Sequence, residues 1–458
     1  MRTTSLAWST RPLPELLRLS WPITVSVLSY AVMTFVDTLF VGRLGSFALA
    51  GVGLAGTACF ATLGFALGML RATKVVVSQE YGAGRERTIG DHINSSIVLS
   101  TILAIAVVLA SWVLAPWLGL LNETAEAAKA AESYFRLRML SAPALLAYGT
   151  LREARFGLGD SRYPMLASVS GNVVNVGLDY AFIVEWGWGV EGAAIATNVG
   201  HVVEAALLLG VHLRSRYARG AVRAHLMGPL IRLGLPLGLQ FVLEIGAFAL
   251  LAAMISRVSD LEMAAHQIAL QVTHLGFLPA YAVGEAASVL IGQAVGADRD
   301  DLVRPVAHVG LKVVILYTAA AGLVMAIGGP SIATLFTGDA ALIETVALLM
   351  LIAGVFQVAD GANILARSAL RGTGDVRWPA IVSVSIAWGC TPPLMWWLGY
   401  RLGWGAAGGW TGLLLELVVG ASVLWWRVEH GGWRRAAVRS RMRQRDHDGA
   451  AGLVEKTA

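Results

Sequence analysis

Apolar runs of about twenty residues recur along the whole chain, and this recurrence restricts the fold more than any other feature. A helix needs about twenty apolar residues to cross a bilayer core. Reading runs between charged or Gly/Pro breaks gives twelve: 16–40, 46–72, 92–113, 128–150, 163–184, 191–212, 229–255, 262–291, 304–328, 340–366, 378–398 and 405–427. Composition supports the same class. Hydrophobic residues make up 56% of the 458 and charged residues 14%, where soluble domains carry about 25% charged. A surface so poor in charge excludes a soluble enzyme, a disordered chain and a nucleic-acid-binding module. The expected fold class is an all-α polytopic membrane protein.

Basic residues orient the spans, because cytoplasmic segments carry an excess of Lys and Arg. With a cytoplasmic N-terminus, the inside segments hold 25 basic residues, from Arg2 through Arg85, Arg152, Arg214, Arg299, Arg367 and Arg371 to the tail. The outside segments hold four: Arg43, Lys129, Arg257 and Arg401. One missed or extra span would scramble this alternation. Twelve spans with both termini inside therefore follow. The +5 net charge marks topology more than a ligand, and the tail's basic run is expected to attract anionic lipid. Cys59 and Cys390 lie in apolar runs and read as buried thiols. Asn122-Glu123-Thr124 forms an outward-facing glycosylation sequon.

The two halves repeat. Arg18 and Pro22 open the first span, and Arg232 and Pro236 open the seventh, 214 residues later. Gln79 to Arg85 matches Gln293 to Arg299 at the same offset. Gly157-Leu158-Gly159-Asp160 matches Gly372-Thr373-Gly374-Asp375, and Gly187-Trp188-Gly189 matches Gly403-Trp404-Gly405. A repeat of six helices keeps one orientation, so the copies form a parallel repeat about an axis along the membrane normal. The expected architecture is a V-shaped pair of six-helix lobes, 16–212 and 229–427. A cytoplasmic segment 1–15, a linker 213–228 and a basic tail 428–458 complete the chain. Rocking one lobe against the other would expose the cleft to alternate sides.

Against this scarcity of charge, acids inside the spans stand out. An Asp at mid-helix costs about 2.5–3.5 kcal/mol on insertion scales, so it reads as functional. The first lobe has Asp37 and Asp179, with Asn175 four residues before Asp179 on one helix face, and Thr197 with Asn198 in the next span. The second lobe has Glu244 and Asp360. Glu285 has Arg71 as its repeat mate, 214 residues earlier, which suggests an opposite-charge pair across the lobes, either a gate or a buried salt bridge. Glu204 and Glu416 have no evident partner in the sequence. Buried carboxyls of this kind can exchange a proton between the two sides or hold a small cation.

Other motifs carry little. Gly51 to Gly56 fits G-x-G-x-x-G, but no strand precedes it. Gly64 and Gly68 suit close helix packing. His266 and His274 are too far apart in sequence to ligate as a pair. No nucleophile–base spacing of an intramembrane enzyme appears.

Taken together, these residues resemble a known family. Val36-Asp37-Thr38-Leu39-Phe40-Val41-Gly42-Arg43-Leu44-Gly45 resembles the first-helix signature of the multidrug and toxic compound extrusion (MATE) family. Ala264 to Ile268, Gly292 to Ala297, and Leu370 to Asp375 are similar to its eighth helix and to its loop after helix ten. Asn175 with Asp179, and Gly192 to Thr197, look like its helices five and six. The resemblance covers about residues 15–427. It implies a secondary antiporter that exports cationic or amphiphilic compounds in exchange for H⁺ or Na⁺. It implies that Asp37, Asn175, Asp179 and Thr197 form the ion-coupling cluster, with Glu244 and Asp360 as the acids of the sodium-linked branch. Asp37, Asp179, Glu244 and Asp360 are then the candidate Na⁺ ligands. That branch often has Tyr four residues before the second-lobe Asp, where Phe356 stands here, which weakens the Na⁺ case in that lobe. No cofactor is expected beyond the coupling ion. The expected setting is the bacterial cytoplasmic membrane, as a monomer in contact with lipid and a small-molecule substrate. A flippase for lipid-linked precursors, or another metabolite exporter on the same frame, is the alternative. Such a cleft would want several Arg or Lys, whereas acids dominate the mid-membrane positions.

Overall fold

The computed structural model describes residues 6–119 and 124–442. The Asn122 sequon, Arg2 and the tail beyond 442 lie outside the described residues. Among the described residues there is no strand. This follows from the apolar runs, since a lipid-embedded backbone must satisfy its own N–H and C=O groups and a helix does so within one segment. The helices are α1 (Pro12–Gly42), α2 (Ser46–Leu70), α3 (Ala72–Gly82), α4 (Glu86–Gly119), α5 (Ala125–Met139), α6 (Ala142–Gly157) and α7 (Arg162–Asp179). They continue with α8 (Gly189–Leu213), α9 (Ala224–Ser256), α10 (Asp260–Gly296), α11 (Val303–Ala333), α12 (Ala340–Gly372), α13 (Arg377–Leu394) and α14 (Gly405–Glu429).

Ten helical segments among the described residues are long and apolar enough to cross a membrane. The chain is a multi-pass membrane protein. Two of the twelve expected runs are not among the ten, and both are broken by polar chemistry. Run 128–150 is two helices, α5 and α6, of 15 and 16 residues. They meet at Leu140–Ser141, where Pro143 lacks an N–H and starts a new helix. Run 163–184 is α7, which carries Asn172, Asn175 and Asp179, followed by a wide π turn at Tyr180–Glu185.

The repeated motifs take the same backbone conformations. A second π turn, Met395–Arg401, follows α13 at the position matching the first. Gly159 and Gly374 have φ of 77° and 82°, and Gly187 and Gly403 have 68° and 73°. Gly84, at 70°, is matched by Asp298 at 61°. That left-handed conformation is strained for most side chains, with Asp among the few that tolerate it.

The chain divides into two compact units. The N-terminal unit comprises Pro22–Tyr81 and Arg85–Phe241. The C-terminal unit comprises Met1–Trp21, Gly82–Gly84 and Val242–Ala458. The division thus falls inside α1 and α9 rather than in the expected linker 213–228. Packing explains the difference at α9. Gly234 and Gly238 sit so close to α2 that a Cβ on either would meet the Met69 or Phe65 carbonyl oxygen, at 2.4 and 2.7 Å. The linker itself is strapped to α4. Asn94 donates to the Gly220 carbonyl at 2.5 Å, Asp91 accepts from the Ala221 N–H at 2.7 Å, and Arg223 pairs with Asp91.

The N-terminal unit is built on Leu63, Leu70, Phe135, Met139 and Leu146, and the C-terminal unit on Leu251, Ile255, Met350, Met395 and Trp410. Cys59 is buried as expected, but Cys390 is half-buried, and both thiols are free. The described part of the tail packs back onto the C-terminal unit. Residues 434–442 are helical, Trp433 is buried, and Arg441 pairs with Asp298 and Asp300 at 3.0 and 2.6 Å.

Candidate functional site

In the N-terminal unit, α7 and α8 approach closely because glycines face each other. A Cβ on Gly171 would lie 2.8 Å from the Gly200 carbonyl oxygen, and one on Gly200 would lie 3.0 Å from that of Gly171. One turn along from this contact, Asn175 on α7 meets Thr197 on α8. The Asn175 Nδ2 donates to Thr197 Oγ1 at 3.5 Å, and the threonine hydroxyl donates to the Ala193 carbonyl at 2.9 Å. Asn175 and Asp179 are both fully buried. Asp37, half-buried on α1, brings its carboxyl beside those of Asp179 and the Asn175 amide.

The four residues the sequence grouped here are therefore together in one unit. Asp37 Oδ1, Asn175 Oδ1 and both Asp179 carboxylate oxygens are buried with no hydrogen-bond partner among the described residues. Two facing carboxylates have only acceptor oxygens, so nothing in the pair itself can satisfy them until a proton or cation enters. Asp, Asn and Thr oxygens are also the hard donors that suit an alkali cation.

Sequence reasoning missed the charged neighbours of this cluster. Arg138, which the sequence did not single out, is buried on α5. It contacts His201, which contacts Glu204. Glu204, without a partner in the sequence reading, thus has one three residues away on α8. The signal was the i, i+3 spacing of His201 and Glu204 on one helix face.

The second-lobe acids behave differently. Glu244 on α9 pairs with Arg367 on α12 at 2.8 Å. Asp360, seven residues before Arg367 on the same helix, is buried and within electrostatic reach of both. Glu416 on α14 accepts from the Thr391 hydroxyl on α13 and feels the same three groups. The sequence counted Arg367 with the cytoplasmic base, but it is the counter-charge of this acidic group. Phe356 packs its ring against Trp410, whose indole Nε1 donates to His266 Nδ1 at 3.1 Å. Hence His266 serves packing and hydrogen bonding, as its isolated position suggested. Glu285, expected opposite Arg71, pairs at 2.9 Å with Arg371 of α12, another residue counted as cytoplasmic. No cluster of three or more His, Cys, Asp or Glu that could hold a metal ion occurs among the described residues.

The sequence profile of the MatE family matches the chain twice, over residues 22–181 and 236–397. The chain belongs to the MATE family. The two matches begin 214 residues apart, at Pro22 and Pro236, the offset at which the motifs repeat. Among its relatives, a probable multidrug resistance protein NorM of Xanthomonas axonopodis pv. citri is 31% identical over 418 residues, covering 89% of this chain and 91% of that one. The multidrug resistance protein PmpM of Pseudomonas aeruginosa is 29% identical over 462 residues, covering 96% of each. The fold is similar to the crystal structure of the eukaryotic MATE transporter AtDTX14, with a TM-score of 0.86 at 20% identity, covering 95% of this chain and 99% of that one. The MATE chain described here is accordingly a membrane transporter for small molecules.

Proposed function

We propose that this MATE protein exports cationic or amphiphilic compounds across the bacterial cytoplasmic membrane in exchange for H⁺ or Na⁺. The proposed frame is twelve spans in two parallel six-helix repeats, both termini cytoplasmic, working as a monomer by alternating access. Asp37, Asn175, Asp179 and Thr197 form the coupling site. The relatives' names as multidrug resistance proteins support the cargo class.

One observation carries the assignment of the coupling site. Asp37 Oδ1, Asn175 Oδ1 and both Asp179 carboxylate oxygens are buried with no hydrogen-bond partner among the described residues, while Glu244 and Glu285 each have an arginine at hydrogen-bonding distance. An acid already neutralised by a fixed arginine has less need of a mobile cation, and an acid pair without one requires it. Asp360 and Glu244 are the reserve coupling site.

The test is transport of ethidium or norfloxacin in proteoliposomes, with ΔpH and ΔNa⁺ imposed separately. Wild-type protein should export cargo under one or both gradients. Asp37→Asn should fold and bind cargo yet lose gradient-driven export, because an amide neither titrates nor carries the charge that holds a cation. Wild-type export from that variant would move coupling to the C-terminal unit, where Asp360→Asn is the matching variant. Failure of either gradient to drive flux in the wild type would sink the antiporter reading.

A further inference from the structure

Four residues after Thr197 on α8, the N-terminal unit holds a second buried polar group. Arg138 is 7% exposed, His201 2% and Glu204 3%. Arg138 Nη1 donates to Ser141 Oγ at 2.7 Å, and its Nη2 lies 2.9 Å from His201 Nε2. A guanidinium is a donor only, so His201 Nε2 accepts. The ring's single proton therefore sits on Nδ1 and is donated to Glu204 Oε2 at 2.9 Å. The partners on both sides fix the tautomer. While Arg138 stays seated, His201 is neutral. A proton on Nε2 would face the guanidinium donor to donor and cation to cation, so protonation of His201 and seating of Arg138 exclude each other.

The charged and titratable groups around this trio come from every element packed on it. They are Tyr30 and Asp37 on α1, Cys59 on α2, Tyr134 on α5 and Tyr148 on α6, with Asp179 on α7 beyond them beside Asp37. Arg138 and His201 both act electrostatically on Asp37.

We infer that His201 with Glu204 is a second proton-accepting site of the N-terminal unit, and that Arg138 is the counter-charge this site exchanges with the Asp37–Asp179 pair. The inference rests on the coupling role proposed for that pair. In one state the acids hold a proton, His201 is neutral and Arg138 is seated on it. In the other the proton is on His201 Nε2, the imidazolium is paired with Glu204, and the released guanidinium offsets one of the two carboxylate charges. One proton moves, from a carboxyl oxygen to a ring nitrogen, while the Arg138 guanidinium moves the other way, and the unit's total charge is the same in both states. His201 and Arg138 are thus positioning groups that set when the acid pair needs an external cation.

The experiment is the pH profile of cargo transport in proteoliposomes for wild type, His201→Gln, Glu204→Gln and Asp37→Asn. Gln at 201 offers an oxygen to Arg138 and an N–H to Glu204 but does not titrate. Wild type should show an inflection where His201 takes up its proton. His201→Gln should transport without that inflection. Glu204→Gln still accepts from Nδ1 but removes the charge that steadies the imidazolium, so its midpoint should fall by about one to three pH units. If Asp37→Asn loses coupled export while His201→Gln keeps the wild-type profile, this inference falls and the coupling reading stands. If Asp37→Asn itself keeps coupled export, the coupling reading falls and takes this inference with it. Should His201→Gln fail to insert, Glu204→Gln decides alone, and an unmoved midpoint overturns the proposal.

Discussion

The close approach of α7 and α8 can be tested without touching a polar residue. In Gly171→Ala, the new Cβ would sit 2.8 Å from the Gly200 carbonyl oxygen and 2.4 Å from Glu204 Cγ. Favourable carbon–oxygen contacts lie at about 3.3–3.6 Å and carbon–carbon contacts at about 3.5–4.0 Å. The side chain of Glu204 can swing, but the Gly200 backbone cannot, so the helices must part by about half an ångström. Overpacking of this kind costs about 1–3 kcal/mol. Replacing a helical glycine by alanine returns about 0.5–1 kcal/mol of backbone entropy, which would blur the reading of a single variant. Gly177→Ala removes that ambiguity. Gly177 is in the same helix and has nothing within 4 Å of its added Cβ, so the variant gains the entropy without the clash. The difference between the two variants is then the packing cost alone, about 1–3 kcal/mol. At about 2–4 °C per kcal/mol, thermal unfolding in detergent, followed by tryptophan fluorescence, should separate them by about 2–12 °C, with Gly177→Ala the more stable. If both unfold within about one degree of each other, the glycine contact does not hold α7 against α8, and the account of how Asn175 meets Thr197 is wrong.

Other expectations follow from single contacts. Arg367→Ala should destabilise more than Glu244→Gln, because it leaves Asp360 and Glu416 without their shared counter-charge. The double variant should recover part of the loss, with a coupling of about 0.5–3 kcal/mol in a thermal-unfolding cycle; strict additivity would refute the pairing. Arg441→Ala should speed tryptic cleavage and hydrogen exchange across 434–442 while leaving the unfolding midpoint of the membrane part unchanged. Protection equal to wild type would show that Asp298 and Asp300 do not hold the tail.

Part of the candidate site was legible because its signal is local. Asn175 and Asp179 share a helix face by their spacing, and an Asp in an apolar run is conspicuous by its cost. The partner of Arg367 was not legible for the complementary reason. At the end of an apolar run, a base that faces water and a base that faces a buried acid look alike, and the acid that decides between them, Glu244, lies 123 residues away. His201 and Glu204 were readable as neighbours, but the third member, Arg138, is on another helix. So the fact that the histidine must be neutral there is visible only once the guanidinium is placed. The linker shows the same limit, since the hydrogen bonds that strap 218–223 to α4 come from Asp91, Asn94 and Ser95 across more than a hundred residues.

The sequence by itself determined the all-helical membrane class and the repeated offset. It also determined the turns where glycines take positive φ. These depend on hydropathy, length and backbone freedom, each a property of a short segment. Only the tertiary structure decided which acids have a base and which do not, and where α1 and α9 divide between the units. The reason is that a buried charge is defined by its nearest opposite charge, and in this chain that neighbour is usually on a different helix.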